Sequence, residues 1–114
     1  MYIKEVRELA LTADIIRGHT ETIILSLLTN NDSYGYEINK TIKEKTNNAY
    51  ELKEATLYCA FKRLEENGYI ESYWGSQDKG ARRRYYKITE EGKKNYLRNK
   101  EDWKETKKII DKLI

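Results

Sequence analysis

Cationic side chains crowd into one short segment of the sequence, between positions 79 and 87. The segment contains no acidic residue, and its cations are Lys79, Arg82, Arg83, Arg84 and Lys87. Such a density of positive charge suits contact with phosphate groups, as along a DNA backbone. Charged residues of this kind also occur on solvated edge strands, where they block association with other strands. The spacing alone is compatible with either interpretation.

Residues that could support catalysis or bind a metal are sparse. His19 and Cys59 are the only histidine and cysteine, so a metal site or a Cys–His nucleophile lacks a second such residue. We find no paired carboxylates, nucleophile with a base, or phosphate loop. The sequence therefore predicts a protein that is not an enzyme and has no metal or cofactor. Cys59 is expected to be small and half-buried, although an exposed thiol would allow a redox switch.

Length and composition indicate a single domain in a reducing compartment. The 114 residues suit one modest core, and the lack of proline fits a mostly helical protein. The net charge of +3 is too small to indicate nucleic-acid binding by itself. A single cysteine excludes an internal disulfide, which fits the cytoplasm. No apolar run approaches the roughly 20 residues that span a membrane, and no signal peptide is evident.

A helix followed by a β-hairpin is predicted around the basic segment. The helix is expected over Glu54–Asn67 and ends at Gly68. Its buried face is formed by Leu57, Phe61 and Leu64. Strands are predicted over Tyr69–Trp74 and Arg82–Ile88, joined by a polar loop with two glycines. This is the pattern of a winged helix-turn-helix, in which the helix enters the major groove of DNA and the hairpin reaches along the backbone.

Candidate DNA contacts follow from this arrangement. Side chains at the start and along the helix can donate to base edges or phosphates, and tyrosine hydroxyls of the helix pair can reach phosphates. Acidic residues of the helix, such as Glu54 and Glu66, instead favour an ordinary exposed face, because carboxylates repel phosphate. The predicted DNA-binding residues are Tyr36, Lys53, Thr56, Tyr58, Lys62, Lys79, Arg82 and Arg83.

Two helices are predicted to precede this unit. The first extends from an N-cap at Asp14 to Asn30, and Gly18 weakens it by about 1 kcal/mol relative to alanine. The second covers Tyr34–Thr46 and meets the Glu54–Asn67 helix across a short connector. Residues 1–13 are compatible with either a helix or a loose arm.

The last predicted element is a long helix over Thr89–Leu113 that begins with a capping threonine. Its side chains repeat every seven residues along one seam. The seam residues are Tyr96, Asn99, Trp103, Thr106, Ile110 and Leu113. The rest of the domain offers little surface that could cover this seam. The seam therefore implies a partner chain, most simply in a two-fold homodimer. We therefore predict a winged-helix domain over residues 1–88 and a dimerisation helix over 89–114, in one compact unit.

Three stretches of the sequence resemble the PadR family of bacterial transcriptional regulators. They are residues 34–38, residues 55–70 and residues 83–92. The resemblance implies a dimeric repressor that binds double-stranded DNA through the Glu54–Asn67 helix and the Gly75–Ala81 wing. The short, single C-terminal helix resembles a small PadR subfamily that includes a multidrug-sensing repressor.

That subfamily resemblance also implies a small-molecule site. A flat aromatic effector would lie between the paired Trp103 side chains, with Ile15, Thr22 and Ser26 nearby. On general grounds, an aromatic residue on a dimer seam is more often used for packing. Lys100 and Lys107, one helical turn on either side of Trp103, make the surroundings basic, which would repel a cationic drug.

The sequence as a whole predicts a cytoplasmic winged-helix homodimer that represses transcription. Its two recognition helices would lie about one DNA turn apart, roughly 34 Å, and read a pseudo-palindrome. The alternative is a winged-helix module that binds protein or RNA without specific duplex recognition.

Overall fold

A computed structural model describes residues 15–75 and 82–114 of the chain. Its elements, in chain order, are α1 (Thr20–Leu28), α2 (Gly35–Lys45), α3 (Glu54–Glu66), β1 (Ile70–Trp74), β2 (Arg84–Ile88) and α4 (Glu90–Leu113). In the described part of the chain, β1 and β2 form a two-stranded antiparallel sheet. The predicted fold class, mainly helical with one β-hairpin, is confirmed. The interpretation of residues 1–13 and the cap at Asp14 lie outside the described residues.

The first helix differs from the prediction because it is interrupted near Gly18. Residues 15–17 are helical, a turn follows at Gly18 and His19, and α1 begins at Thr20. The turn is closed by a bond from the His19 N–H to the Ile16 carbonyl, 2.7 Å long. Glycine gains the most backbone entropy outside a helix, which explains why the interruption falls there.

The core lies where α1, α2, α3 and the hairpin meet. As predicted, one face of α3 is fully buried, and it comprises Leu57, Ala60, Phe61 and Leu64. The Phe61 ring stacks on Tyr86 of β2 with 3.9 Å between ring centroids. Apolar side chains from every one of these elements contribute to this core, so α3 cannot rotate without exposing them to water.

The end of α3 confirms the prediction of a terminal glycine. Gly68 adopts a φ of 76°, a left-handed conformation that favours glycine. The Tyr69 N–H bonds the Leu64 carbonyl at 2.9 Å, and the Gly68 N–H bonds the Glu65 carbonyl at 3.0 Å. This pair of bonds is a Schellman motif, which turns the chain directly from α3 into the hairpin.

Two side chains hold the linker that leads from α2 to α3. The amide of Asn39 accepts a bond from the Leu52 N–H and donates one to the Leu52 carbonyl, each 2.8 Å long. The hydroxyl of Thr46 accepts a bond from the Tyr50 N–H at 3.2 Å. These contacts fix the point at which α3 begins relative to α2.

A second junction joins α4 to the end of α3. The Thr89 hydroxyl accepts a bond from the Gly92 N–H at 3.0 Å and donates one to the Gly68 carbonyl at 2.7 Å. The predicted capping role of Thr89 is therefore confirmed. Gly92 is buried, and a Cβ atom there would overlap the Tyr69 carbonyl oxygen.

The second half of α4 projects beyond the core. Every residue from 101 to 114 is exposed in the single chain, although the beginning of the helix packs beside α1. No helix in the described ranges is long and apolar enough to cross a membrane.

We expect Gly92→Ala to lower the free energy of unfolding by about 1–3 kcal/mol, because the added methyl group must displace backbone. Gly18→Ala is the matched control, since no atom lies within 4 Å of a Cβ built there. That control should be neutral or stabilising by about 0.4–1 kcal/mol. Urea denaturation followed by circular dichroism measures both, and equal stabilities of the two variants would contradict the close packing at Gly92.

Candidate nucleic-acid interface and effector cavity

The face of α3 opposite the core is open to solvent. Ala55, Cys59, Lys62 and Glu66 are exposed and recur at helical spacing on that side. The expectation that Cys59 is half-buried is wrong, because its thiol is exposed. Residues two positions apart on a helix are separated by a rotation of about 200°. Cys59 therefore lies on the side of α3 opposite the buried Leu57.

The predicted DNA-binding residues of the helix pair are mostly exposed. Tyr36 is 74% exposed, Lys53 and Lys62 are exposed, and Thr56 is half-buried. Lys53 occupies the N-cap position of α3 without a side-chain capping bond. Lys79 of the wing lies outside the described residues.

Tyr58 joins α3 to the beginning of α2. A Cβ atom built at Gly35 would lie 2.9 Å from the Tyr58 hydroxyl oxygen, so the two helices approach closely there. Between them runs an open groove of about 620 Å³ that includes Tyr36 and Lys53. Its charged lining residues are Lys40, Lys43, Glu44, Glu51, Lys53 and Glu54. The opposite charges are equal in number, so this groove does not by itself attract phosphate.

Arg83 is held against the helix-turn-helix by aromatic rings. Its guanidinium lies 4.8 Å from the centroid of the Tyr34 ring, immediately before α2. Tyr34 contacts Tyr85 edge-on at 5.2 Å, and Tyr85 stacks on Tyr73 at 5.6 Å. The Tyr73 hydroxyl donates a 2.6 Å bond to Asp32, which raises the pKa of Tyr73 to about 12. This chain of contacts attaches the hairpin to the loop between α1 and α2.

The other wing arginines lie on the opposite face of the hairpin, as strand alternation predicts. The Arg82 guanidinium lies 5.2 Å from the centroid of the Trp74 ring. Arg84 donates to the Ser72 hydroxyl at 2.8 Å and pairs with Glu65 at 3.4 Å. All three arginines are exposed, but Arg84 differs from Arg82 and Arg83 in that its guanidinium already pairs with a carboxylate of the same chain.

Trp74 is a surface residue that the sequence reasoning did not single out. Its ring is 55% exposed and lies beside Arg82, so it belongs to the same surface of the wing. The alternation of β1 gave no signal of this exposure, because Ile70 and Trp74 are four residues apart and share a face, yet Ile70 is buried and Trp74 is exposed.

A separate cavity lies beside Trp103, between α1, the end of α2 and α4. Its volume is about 430 Å³, and it includes the predicted effector residues Thr22, Ser26 and Trp103. The His19 and Trp103 rings meet edge-on with 4.8 Å between centroids. Ile15, the fourth predicted effector residue, is exposed and does not line the cavity, whereas its neighbour Ile16 does.

Hydroxyl groups form a polar end to this cavity. The Ser26 hydroxyl donates to the Tyr96 hydroxyl oxygen at 3.4 Å, which is the main cause of a lowered pKa for Tyr96. Burial opposes this effect, and the nearby Lys100 adds to it. Within residues 15–75 and 82–114, no group of three or more histidine, cysteine, aspartate or glutamate side chains could hold a metal ion.

The predicted seam residues of α4 fall into two groups. Tyr96 packs partly against the core of its own chain, and Asn99 is half-buried. The remaining seam residues are exposed in the single chain; they are Trp103, Thr106, Ile110 and Leu113.

The helix α3 buries one face against α1 and α2 and leaves the other open to solvent, and a hairpin with exposed arginines follows it. This arrangement defines a winged helix-turn-helix DNA-binding protein. The family model of the PadR-like transcriptional regulators matches residues 24–98, and the chain belongs to that family. It is therefore a DNA-binding transcriptional regulator and not an enzyme. This assignment confirms the family resemblance inferred from the sequence.

Similar proteins support the assignment. A transcriptional regulator from Clostridium thermocellum is 57% identical, covers 89% of this chain and 98% of its own, and has a TM-score of 0.82. A PadR family regulator from Clostridium difficile is 38% identical, with 83% and 97% coverage and a TM-score of 0.74. An uncharacterized protein from Lysinibacillus sphaericus is 48% identical over 99 residues, which is 87% of this chain and 91% of that protein.

We expect the double substitution Arg82→Gln and Arg83→Gln to weaken binding to any duplex and to flatten its salt dependence. Each lost phosphate contact should lower the slope of log K against log salt by about 0.9. Fluorescence anisotropy at several salt concentrations measures this slope. Lys108→Gln is the control, because Lys108 is paired with Glu105 at 3.5 Å on α4. If the control changed the slope equally, the wing arginines would not contact the DNA phosphates.

Proposed function

We propose that this regulator is a homodimeric repressor that binds a pseudo-palindromic operator and is released by a small flat aromatic effector. One observation carries the DNA-binding part of the proposal. Arg83 of the wing lies over Tyr34, and Tyr58 of α3 lies against the adjacent Gly35. The wing and the recognition helix thus contact neighbouring residues, Tyr34 and Gly35, which supports the proposal that both bind one stretch of duplex.

In this arrangement α3 enters the major groove and the wing follows the backbone. Thr56 and Lys62 face base edges or phosphates along α3, and Lys53 contacts DNA at its beginning. Phosphate contacts come from the wing residues Lys79, Arg82 and Arg83, and from the tyrosines Tyr36 and Tyr58. Because DNA is the target, the cytoplasmic location predicted from the sequence is part of this proposal.

The exposed seam of α4 supports the homodimer. Ile110 is 44% exposed and Trp103 is 41% exposed, although both are large and apolar. A 24-residue helix is about 36 Å long, which is enough for a partner helix to cover the whole seam. Pairing through a two-fold axis would set the two α3 helices about one DNA turn apart, roughly 34 Å.

The effector part of the proposal is supported by the cavity beside Trp103. A volume of about 430 Å³ falls within the range of small-molecule pockets. Its lining also includes Trp103, a seam residue, so a bound ligand would lie beside the dimer interface. An effector there would change the separation or tilt of the two winged-helix units on DNA.

The test of operator recognition is anisotropy on duplex DNA from upstream of the gene that encodes this protein, with a scrambled duplex as control. We expect preference for the native duplex and, if 6–10 phosphates are neutralised, a fall in affinity of about 10³–10⁵-fold between 50 and 200 mM salt. Equal binding to both duplexes would contradict sequence-specific recognition.

Cys59 provides a second readout of the same experiment. Since its thiol is on the outward face of α3, the native duplex should slow alkylation by a maleimide, and the scrambled duplex should not. Unchanged alkylation on a tightly bound operator would mean that this face of α3 does not enter the groove.

We expect Ile110→Glu to raise the dimer dissociation constant by roughly 100-fold or more, because a buried unpaired charge costs at least about 3 kcal/mol. Leu97→Glu is the matched control, since Leu97 is an exposed apolar residue of α4 away from the seam. Sedimentation velocity over a range of concentrations measures both constants. A monomeric wild-type protein, or equal effects of the two variants, would refute the proposed interface.

A further inference from the structure

Trp74 is a large apolar side chain that the fold leaves on the surface. It is the last residue of β1 and is 55% exposed, although an aromatic ring of this size gains much from exclusion of water. The Arg82 guanidinium lies 5.2 Å from the centroid of the Trp74 ring, and the Arg84 guanidinium lies 6.0 Å from it. The exposed ring is therefore flanked by two cations.

The face of the hairpin that carries Trp74 is directed toward α3. Trp74 pairs with Arg84 across the antiparallel ladder, and Tyr86 lies two residues further along the same face of β2. Tyr86 stacks on Phe61 of α3, and Arg84 pairs with Glu65 of α3. Trp74 therefore lies at the outer end of the surface between the wing and α3.

The backbone around Trp74 is fixed before any partner binds. The Gly75 N–H donates a 2.7 Å bond to the Arg83 carbonyl, which continues the pairing of the two strands one residue past β1. A Cβ atom at Gly75 would overlap the Tyr85 ring, so this segment packs closely on the neighbouring strand. A partner that contacts Trp74 would order only its side chain, and the loss of conformational entropy would be small.

We infer that Trp74 is a further DNA-binding residue, which contacts deoxyribose groups of the strand that passes between α3 and the wing. This inference rests on the proposed placement of α3 in the major groove and of the wing along the backbone. In that placement one sugar–phosphate strand borders both elements. The strand therefore lies against the surface on which Trp74 and Arg82 are exposed.

Trp74 and Arg82 together match the two parts of a nucleotide backbone. A guanidinium binds the charged phosphate oxygens, and an aromatic ring covers the carbon atoms of the adjacent sugar. Arg84 is less available to a phosphate, because it already pairs with Glu65. Sugar contacts carry no direct sequence information, so Trp74 adds affinity for every duplex without changing the preference among sequences.

The first test measures anisotropy of the native and scrambled duplexes with Trp74→Ala at 50 and 200 mM salt. We expect about 3- to 10-fold weaker binding of both duplexes at both salt concentrations, because burial of apolar surface releases no counterions. Arg82→Gln should instead lower the slope of log K against log salt by about 0.9. Leu97→Ala is the control, because Leu97 is an exposed apolar residue of α4, and it should leave the affinity unchanged.

The second test uses the fluorescence of the unmodified protein and does not depend on the folding of Trp74→Ala. The chain has two tryptophans, Trp74 and Trp103, so Trp74→Phe leaves Trp103 as the single fluorophore of this kind. We expect saturation with the native duplex to reduce quenching of the wild type by acrylamide. Quenching of Trp74→Phe should not change, and the difference between the two proteins reports the protection of Trp74.

Three results would overturn the contact between Trp74 and the sugars. The first is quenching of the wild type that bound DNA leaves unchanged. The second is a loss of affinity in Trp74→Ala that lowers the salt slope as Arg82→Gln does, because Trp74 would then act only by holding Arg82. The third is a loss confined to the native duplex, which would indicate contact with bases.

Failure of the proposed operator recognition would look different. If the wild type bound the native and scrambled duplexes equally, sequence-specific recognition would be refuted. The contact of Trp74 would still be supported if both duplexes protected its ring and if Trp74→Ala weakened binding to both. A wild type that binds neither duplex at 50 mM salt would overturn the contact together with the proposed function.

Discussion

The structure depends on burial of one face of α3. Leu57, Phe61 and Leu64 are inserted between α1, α2 and the hairpin, and this burial decides which residues of the helix point outward. Burial of a large apolar side chain stabilises a fold by about 1.5–3 kcal/mol, so rotation of α3 would cost several times that amount. The outward position of Lys62 is thus a consequence of core packing, and so is the orientation of the whole exposed face of α3.

The hairpin and α4 are attached to this core through contacts of different kinds. The hairpin is held by a series of aromatic contacts. It begins with the Arg83 guanidinium over the Tyr34 ring and ends with the hydrogen bond from Tyr73 to Asp32. The beginning of α4 is fixed by the Thr89 cap and by close packing at Gly92. Both junctions therefore hold the wing and the beginning of α4 against the core helices, whereas residues 101–114 of α4 are exposed in the single chain.

Local patterns in the sequence were enough to predict the elements but not the contacts between distant residues. Helical periodicity identified the buried face of α3, and Gly68 marked its end. The ring contact between Arg83 and Tyr34 joins residues 49 positions apart (83 minus 34), so no local pattern indicates it. The exposure of Cys59 could have been derived from its angle to Leu57. Gly18 was recognised as the weak point of the first helix, and the interruption falls there. The cavity beside Trp103 could not be derived from local pattern, because it depends on how α1, α2 and α4 pack in three dimensions.

Control of DNA binding by a ligand requires a difference in ligand affinity between the DNA-bound and free states. Coupling free energies between two sites are typically about 1–3 kcal/mol, which corresponds to about 5- to 150-fold in affinity. The cavity beside Trp103 suits such coupling, because its walls come from α4 and from the linker at Tyr50 that leads into α3. Under the proposed function, a small displacement of that linker would change the angle at which α3 enters the groove, and a two-fold dimer with two such cavities would double the coupling free energy. Under the proposed function, a modest effect in each protomer would therefore be enough to release the operator.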